Sequence, residues 1–253
     1  MKFTDIHTHI LPGIDDGARD LTESLALLAA AASQGADQII VTPHYYVDAP
    51  TDPDELREKL TLIRKELDKN GTGADADSPA LYLGNEVLYF DGMTERLDRG
   101  EILTLNGTDR VLVEFYPSES FDTVLRAVRH IYGAGYIPVI AHAERYLCLR
   151  GDAHEGLSPL IENGAEIQLG SDAVCHGLMD GLFNKDAAWC RKQIEAGLVS
   201  YLGSDMHRMK TRPPEIARCA AWCRKTLSPQ TADALLWQNA AANLDCRAAA
   251  EQG

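Results

Sequence analysis

Seven short apolar runs recur along the chain, separated by longer stretches in which apolar residues return every three or four positions. The short runs are 2–9 (KFTDIHTH), 37–45 (DQIIVTPHY), 80–87 (ALYLGNEV), 110–116 (RVLVEFY), 136–144 (YIPVIAHAE), 165–171 (AEIQLGS) and 198–207 (LVSYLGSDMH). Their β-branched content and near-continuous apolarity predict strands of a sheet covered on its outer face. Between them, LTESLALLAAAASQG (21–35) and DELREKLTLIRKELDKNG (54–71) carry the spacing of helices with one buried face. Such alternation predicts a parallel sheet, and seven units in about 200 residues fit a closed or nearly closed barrel. An open doubly wound sheet is the alternative.

The strand ends carry the chemistry. At or near their C-termini stand His7 and His9, His44, Glu86, Glu114, His142, and then Asp205 and His207. The sixth strand has no obvious ligand and offers Gln168 and Ser171 instead, while the pair Asp15–Asp16 follows a Pro-Gly turn after the first strand. In a barrel these ends converge on one face, where such folds keep their active sites. Five of the eight histidines sit there; His130, His154 and His176 fall in helices or loops and read as surface or packing residues.

Five imidazoles and four carboxylates (Asp16, Glu86, Glu114 and Asp205), buried together without cations, would suffer heavy desolvation and repulsion. The cluster is therefore predicted to bind metal. A thiol-free set of this kind suits manganese, iron or zinc better than magnesium. A structural zinc ion would stop at four ligands, so nine predict two or three divalent ions with open positions. Arg145 and Arg212, just beyond His142 and His207, are suited to phosphate recognition, with neutralisation of the acidic cluster as the plainer alternative. Arg208 and Lys210 are weaker candidates. Tyr45 and Tyr46, next to His44, would either stack on an aromatic phosphate or pack into the core.

Composition narrows the choice. The net charge of −14 argues against nucleic acid or an anionic membrane as the main partner, and against a nuclease. MKFTDIHTH has no leader-like apolar segment, and LALLAAAA (25–32) is far shorter than the roughly 20 residues of a membrane span. Cysteines 148, 175, 190, 219, 223 and 246 form no C-x-x-C pair, so reduced thiols and a cytoplasmic setting are expected. C-x₅-R, G-x-x-x-x-G-K, G-x-G-x-x-G, H-E-x-x-H and G-x-S-x-G are all missing. The Gly/Asp-rich stretch 70–79 reads as a loop without chemistry.

The motifs DIHTHILPGIDDGARD (5–20), TPHYY (42–46), VEFYP (113–117), PVIAHAERY (138–146) and GSDMHRMKTRPP (203–214) resemble the polymerase-and-histidinol-phosphatase (PHP) superfamily. More closely, they are similar to bacterial metal-dependent protein-tyrosine phosphatases of capsular and exopolysaccharide operons. The resemblance implies a distorted (β/α)₇ TIM-like barrel, a single domain over 1–253 with its core at about 2–214 and a helical C-terminal segment at about 215–253. It implies a manganese-favouring trinuclear site held by His7, His9, Asp16, His44, Glu86, Glu114, His142, Asp205 and His207, with Asp16 rather than Asp15 as the ligand. Arg145 and Arg212 would hold phosphate, and His207 could assist proton transfer. The implied reaction is direct attack on phosphotyrosine by a hydroxide bridging the ions. The implied partner is a tyrosine-phosphorylated protein, a bacterial tyrosine kinase of polysaccharide export. The rival readings are a histidinol-phosphatase-like phosphomonoesterase and a non-catalytic metal-binding module. The sixth strand, EIQLGSDAVCHG, departs most from the pattern and leaves substrate shape there open.

Overall fold

The computed structural model describes residues 2–69, 78–150, 156–175 and 185–244. His154, His176, Cys246 and residues 70–77 of the predicted loop lie outside them. Nine strands are present: β1 (Phe3–Asp5), β2 (Ala36–Val41), β3 (His44–Tyr45), β4 (Ala80–Leu83), β5 (Glu86–Leu88), β6 (Arg110–Glu114), β7 (Ile137–Ile140), β8 (Glu166–Gly170) and β9 (Tyr201–Gly203). They form two curved parallel sheets, β1-β2-β4 and β3-β5-β6-β7-β8-β9.

The expected second and third strands are each broken in two, and the breaks lie side by side. Pro43 has no N–H to give to a ladder. The neighbouring segment yields at Gly84-Asn85, where the buried Asn85 side chain stands in for ladder bonds. Its Nδ2 donates to Pro43 O (3.0 Å) and its Oδ1 accepts from Leu103 N (2.9 Å). The upper pieces β3 and β5 then pair in register, His44 opposite Glu86. The last strand meets the first through a parallel bridge, Thr8 with Met206, flanked by Asp205 N→His7 O and His9 N→Met206 O, both 2.9 Å. Seven strand segments thus run round a distorted (β/α)₇ barrel in chain order.

The helices on its outer face include α1 (Leu21–Ser33), α2 (Pro53–Lys69), α3 (Met93–Asp98), α4 (Phe121–Gly133), α5 (Ser158–Glu162), α6 (Ser171–Cys175), α7 (Lys185–Glu195) and α8 (Ala217–Thr226). Asp20 and Ser120 cap α1 and α4 by accepting from Glu23 N and Thr123 N. Short helical turns continue from α8 to Asn243. Among the described residues no helix is long and apolar enough to cross a membrane.

Period-two alternation sorts the side chains. Ile39 and Val41, Val111 and Val113, and Ile167 and Leu169 face outward into the layer beneath the helices. Ile6, Ile40, Leu112, Val139 and Tyr201 fill the barrel, closed below by Leu105, Ala240 and Leu244. Near the same end Arg110 pairs with Glu166 through two bonds of 2.9 Å, and Tyr201 donates its hydroxyl to Glu166 Oε2 at 2.6 Å. The lower end is packed, and by the same alternation Glu114 follows Leu112 onto the inner face at the upper mouth.

The seam between the first and last segments leaves no room for a side chain at Gly203, where a Cβ would stand 2.6 Å from His7 Cβ and 3.1 Å from Gln168 Nε2. Gly203→Ala is expected to destabilise the metal-free protein by about 1–3 kcal/mol. Gly133→Ala, whose Cβ meets nothing within 4 Å, serves as the control. Equal melting temperatures for the two variants would contradict a close-packed seam.

Candidate metal centre

All nine predicted ligands lie at the barrel mouth. His7 and His9 leave the end of β1, and their Nε2 atoms approach to 3.1 Å. His7 Nε2 stands 3.1 Å from Glu86 Oε2 and 3.4 Å from Asp205 Oδ1, and His9 Nε2 repeats the pattern at 3.2 and 3.4 Å. Glu86 and Glu114 together face two histidines. His44 Nδ1 lies 3.0 Å from Glu86 Oε2 and 3.3 Å from Glu114 Oε1, while His142 Nε2 lies 2.8 Å from Glu86 Oε1 and 3.7 Å from Glu114 Oε2. Toward solvent, Asp16 Oδ1 is 3.3 Å from His207 Nε2 and 3.5 Å from His44 Nε2.

Three groups emerge in which all ligand atoms lie within 4.8 Å of one another: His9, Asp16, His44 and His207; His7, His9, Glu86 and Asp205; and His44, Glu86 and Glu114. His9, His44 and Glu86 are shared between groups. Donor atoms about 2.1 Å from one cation are separated by about 3.0 Å along an octahedral edge and about 3.4 Å along a tetrahedral one, and most of these N···O gaps fall between 3.0 and 3.5 Å. Despite that closeness, Glu86 Oε2, Asp205 Oδ1 and His44 Nδ1 are buried without a hydrogen bond among the described residues. Buried polar atoms without partners are costly. Lone pairs aimed at a common point, and not at one another's protons, fit divalent cations.

The protonation equilibria point the same way. Burial opposes charge on Glu86 and Asp205, yet facing imidazoles, His7 foremost, hold both well below the usual carboxylate range. Burial also opposes charge on His44 and His142, but Glu114 and Glu86 push both up to about 9. The metal-free cluster thus retains protons where cations fit. His207 behaves differently: burial, with His9 and the Arg212 guanidinium, pushes it down to about 4 despite Asp205.

A second ring of contacts orients the imidazoles. Asp15 Oδ2 accepts from His9 Nδ1 at 2.8 Å and from His44 N at 3.1 Å, and its Oδ1 accepts from Gly17 N at 2.9 Å. Gln168 Oε1 accepts from His7 Nδ1 (3.2 Å) and His142 N (2.7 Å). Tyr146 Oη lies 3.3 Å from His142 Nδ1, and Asp205 O accepts from His207 Nδ1 at 2.8 Å. His7 and His9 thus turn Nε2 toward the centre, while Arg212 Nη1 lies 3.2 Å from His207 Nε2. Asp15 and Tyr146 had no place in the sequence-based ligand set; the D-D pair and the tyrosine after Arg145 were their only signals. Gln168 explains why the sixth strand has no ligand: it holds two others in place.

His142 and Asp205 adopt positive φ angles of 32° and 51°, which L side chains disfavour. The turns carry both side chains off their strands into the mouth, and such strain typically marks functional sites. Arg145 Nη2 and Arg212 Nη1 both donate to Asp205 Oδ2, the second at 3.1 Å. Arg212 Nη1 also lies 3.1 Å from His207 Nδ1. Both guanidinium groups therefore touch the acidic cluster, and both remain partly exposed at its rim. Tyr45 is buried and its hydroxyl accepts from Arg96 Nη1, so it is a packing residue. Tyr46 stacks on His44 with ring centroids 5.0 Å apart. His130 lies exposed in the last turn of α4.

Known proteins are similar to this chain in sequence and fold. The chain is 36% identical over 215 residues to the tyrosine-protein phosphatase YwqE of Bacillus subtilis, covering 82% of this chain and 78% of that one. It is 30% identical to the tyrosine-protein phosphatase CpsB of Streptococcus agalactiae serotype V, covering 93% and 96%. A crystal structure from a study of YwqE from Bacillus subtilis and CpsB from Streptococcus pneumoniae, described as metal-dependent tyrosine phosphatases, superposes with a TM-score of 0.84 at 29% identity, covering 98% of this chain and 96% of that one. The profile of the capsular polysaccharide synthesis family CpsB/CapC matches residues 3–245. The chain belongs to the CpsB/CapC family.

Proposed function

We propose that this chain is a metal-dependent phosphoprotein tyrosine phosphatase acting in capsular or exopolysaccharide synthesis. The observation that carries the reading is the buried trio Glu86 Oε2, Asp205 Oδ1 and His44 Nδ1, unpartnered and facing further ligands. The relatives' activity and the shared fold support it. His7, His9, Asp16, His44, Glu86, Glu114, His142, Asp205 and His207 would hold two to three divalent ions. An imidazole–carboxylate set without thiolate suits manganese, iron or zinc, and the family resemblance favours manganese. Such ions supply Lewis acidity and lower the pKa of water to near neutrality.

The chain's own residues do the rest. Asp15, Gln168 and Tyr146 fix the ligand rings. Arg145 and Arg212, braced on one oxygen of Asp205, present their remaining N–H groups to the equatorial oxygens of a phosphoryl group as charge redistributes. A tyrosinate leaves with a pKa near 10, so it needs little protonation. His207, pushed down to about 4 by burial and donating through Nδ1 to Asp205 O, would serve first as a ligand, with assistance to proton transfer as its second role. The substrate would be a tyrosine-phosphorylated protein, with a tyrosine kinase of polysaccharide export as the expected partner. The whole chain would act as one domain, and the free, buried cysteines agree with a reducing cytoplasm.

Turnover of p-nitrophenyl phosphate, a phosphotyrosine peptide, a phosphoserine peptide and histidinol phosphate tests the reading. Chelated protein should be inactive, and Mn²⁺ should restore activity that favours the phosphotyrosine peptide; preference for histidinol phosphate would move the assignment to a small-molecule phosphatase. Arg145→Ala and Arg212→Ala should each lower kcat/KM on aryl phosphates about 100-fold while bound metal, measured by elemental analysis, stays constant. Unchanged kinetics in both would remove the arginines from the reaction. Because His44 and His142 hold protons up to about 9 in the metal-free cluster, Mn²⁺ binding at neutral pH should expel protons and weaken as pH falls. Titration calorimetry in buffers of different ionisation enthalpy measures that release, and buffer-independent heats would contradict it.

A further inference from the structure

The large apolar side chains left in solvent are concentrated at the barrel mouth. Among the described residues seven are exposed, and five of them (Tyr46, Val47, Tyr116, Leu147 and Met209) stand on loops that leave the mouth just after site residues. The other two, Leu62 and Tyr132, lie on α2 and α4. Tyr116 and Leu147 are the most exposed, at 63% and 62%. They belong to neighbouring loops, Tyr116 two residues past Glu114 and Leu147 two residues past Arg145. Leu147 N donates to Pro117 O at 3.0 Å and ties the loops together.

The residues that precede them are braced against each other. Phe115 meets Tyr146 edge-on at 5.8 Å, and Phe115 N donates to Tyr146 Oη at 3.1 Å. Tyr89 packs against Phe115 at 5.5 Å, and the Tyr146 hydroxyl also reaches His142. Two large apolar side chains on loops joined in this way, one two residues past Glu114 and the other two residues past Arg145, offer an exposed apolar surface beside the mouth. Two side chains fall well short of the roughly 800 Å² per partner of a stable dimer interface. They suit one or two residues of a bound peptide, beyond the reach of a compact phosphate ester.

We propose that Tyr116 and Leu147 form a ledge that receives an apolar side chain flanking the phosphotyrosine of a protein substrate. The proposal rests on the tyrosine-phosphatase reading and adds to it a requirement on substrate sequence. Arg145 anchors the phosphate while the ledge selects its neighbour, so the effect falls on KM.

The experiment compares metal-loaded wild type with the double variant Tyr116→Ser/Leu147→Ser. The substrates are two phosphotyrosine peptides that differ only in leucine or serine flanks, together with p-nitrophenyl phosphate. Wild type should prefer the leucine-flanked peptide about tenfold in kcat/KM, as burial of one aliphatic side chain allows. The variant should lose that preference through KM, with p-nitrophenyl phosphate kinetics and metal content unchanged. A preference that is absent from wild type or intact in the variant would overturn the ledge, as would an equal loss on p-nitrophenyl phosphate. So would a dimer that sedimentation shows the variant to dissociate without any change in peptide preference, since the ledge would then serve a second copy of the chain. Failure of wild type to turn over all three substrates would strike the phosphatase reading itself. Calorimetric binding of the two peptides, which needs no turnover, then decides the ledge separately: tighter binding of the leucine-flanked peptide to wild type alone supports it, and equal binding overturns it.

Discussion

Two buried carboxylates set the terms for the upper half of this molecule. Glu86 turns one oxygen toward His7, His9 and His44 and the other toward His142. Asp205 faces His7, His9 and His207 with Oδ1 and gives Oδ2 to two arginines. Removing such charges from water costs several kcal/mol each unless they are fully matched, and the imidazoles alone do not align to match them. The surrounding architecture can be understood as support for this convergence.

That support is distributed over the whole barrel. The paired breaks in its wall let His44 and Glu86 start their own short ladder at a common height. Left-handed turns at His142 and Asp205 swing these side chains off their strands. A buried amide, a carboxylate and a phenol hold the far nitrogens of three histidines. At the opposite end, Arg110 and Glu166 form a matched pair with Tyr201 and help keep the barrel shut there.

Much of this was legible in the sequence, because strand ends and period-two alternation dictate which residues meet. His7, His9, His44, Glu86, Glu114 and His142 could be placed at one mouth from those rules alone. The breaks at Pro43 and Gly84-Asn85 were harder: the apolar pattern continues across them, and only the side-chain bonds of Asn85 show the ladder being replaced. Asp15 was hidden because an Asp-Asp pair cannot declare which carboxylate is the ligand and which is the prop. Gln168 looked like an absence of chemistry, since a neutral amide behind two histidines leaves no charge pattern to read. Tyr45 and Tyr46 are adjacent letters with opposite fates, one buried and one on the rim, and only the backbone direction after β3 separates them.

The seam where the barrel closes has a further consequence. Its backbone connection is a single bridge, Thr8 with Met206, and two flanking hydrogen bonds. Directly above it, His7 and His9 come from the beginning of the chain, and Asp205 and His207 from almost 200 residues later. A divalent ion held by residues of both sides would act as a clasp across the longest loop in the fold, where a cross-link restricts the unfolded chain most. Metal binding would then reinforce a seam that the backbone already closes, and a chain that has not yet emerged as far as Asp205 lacks both the later ligands and the last segment of the wall.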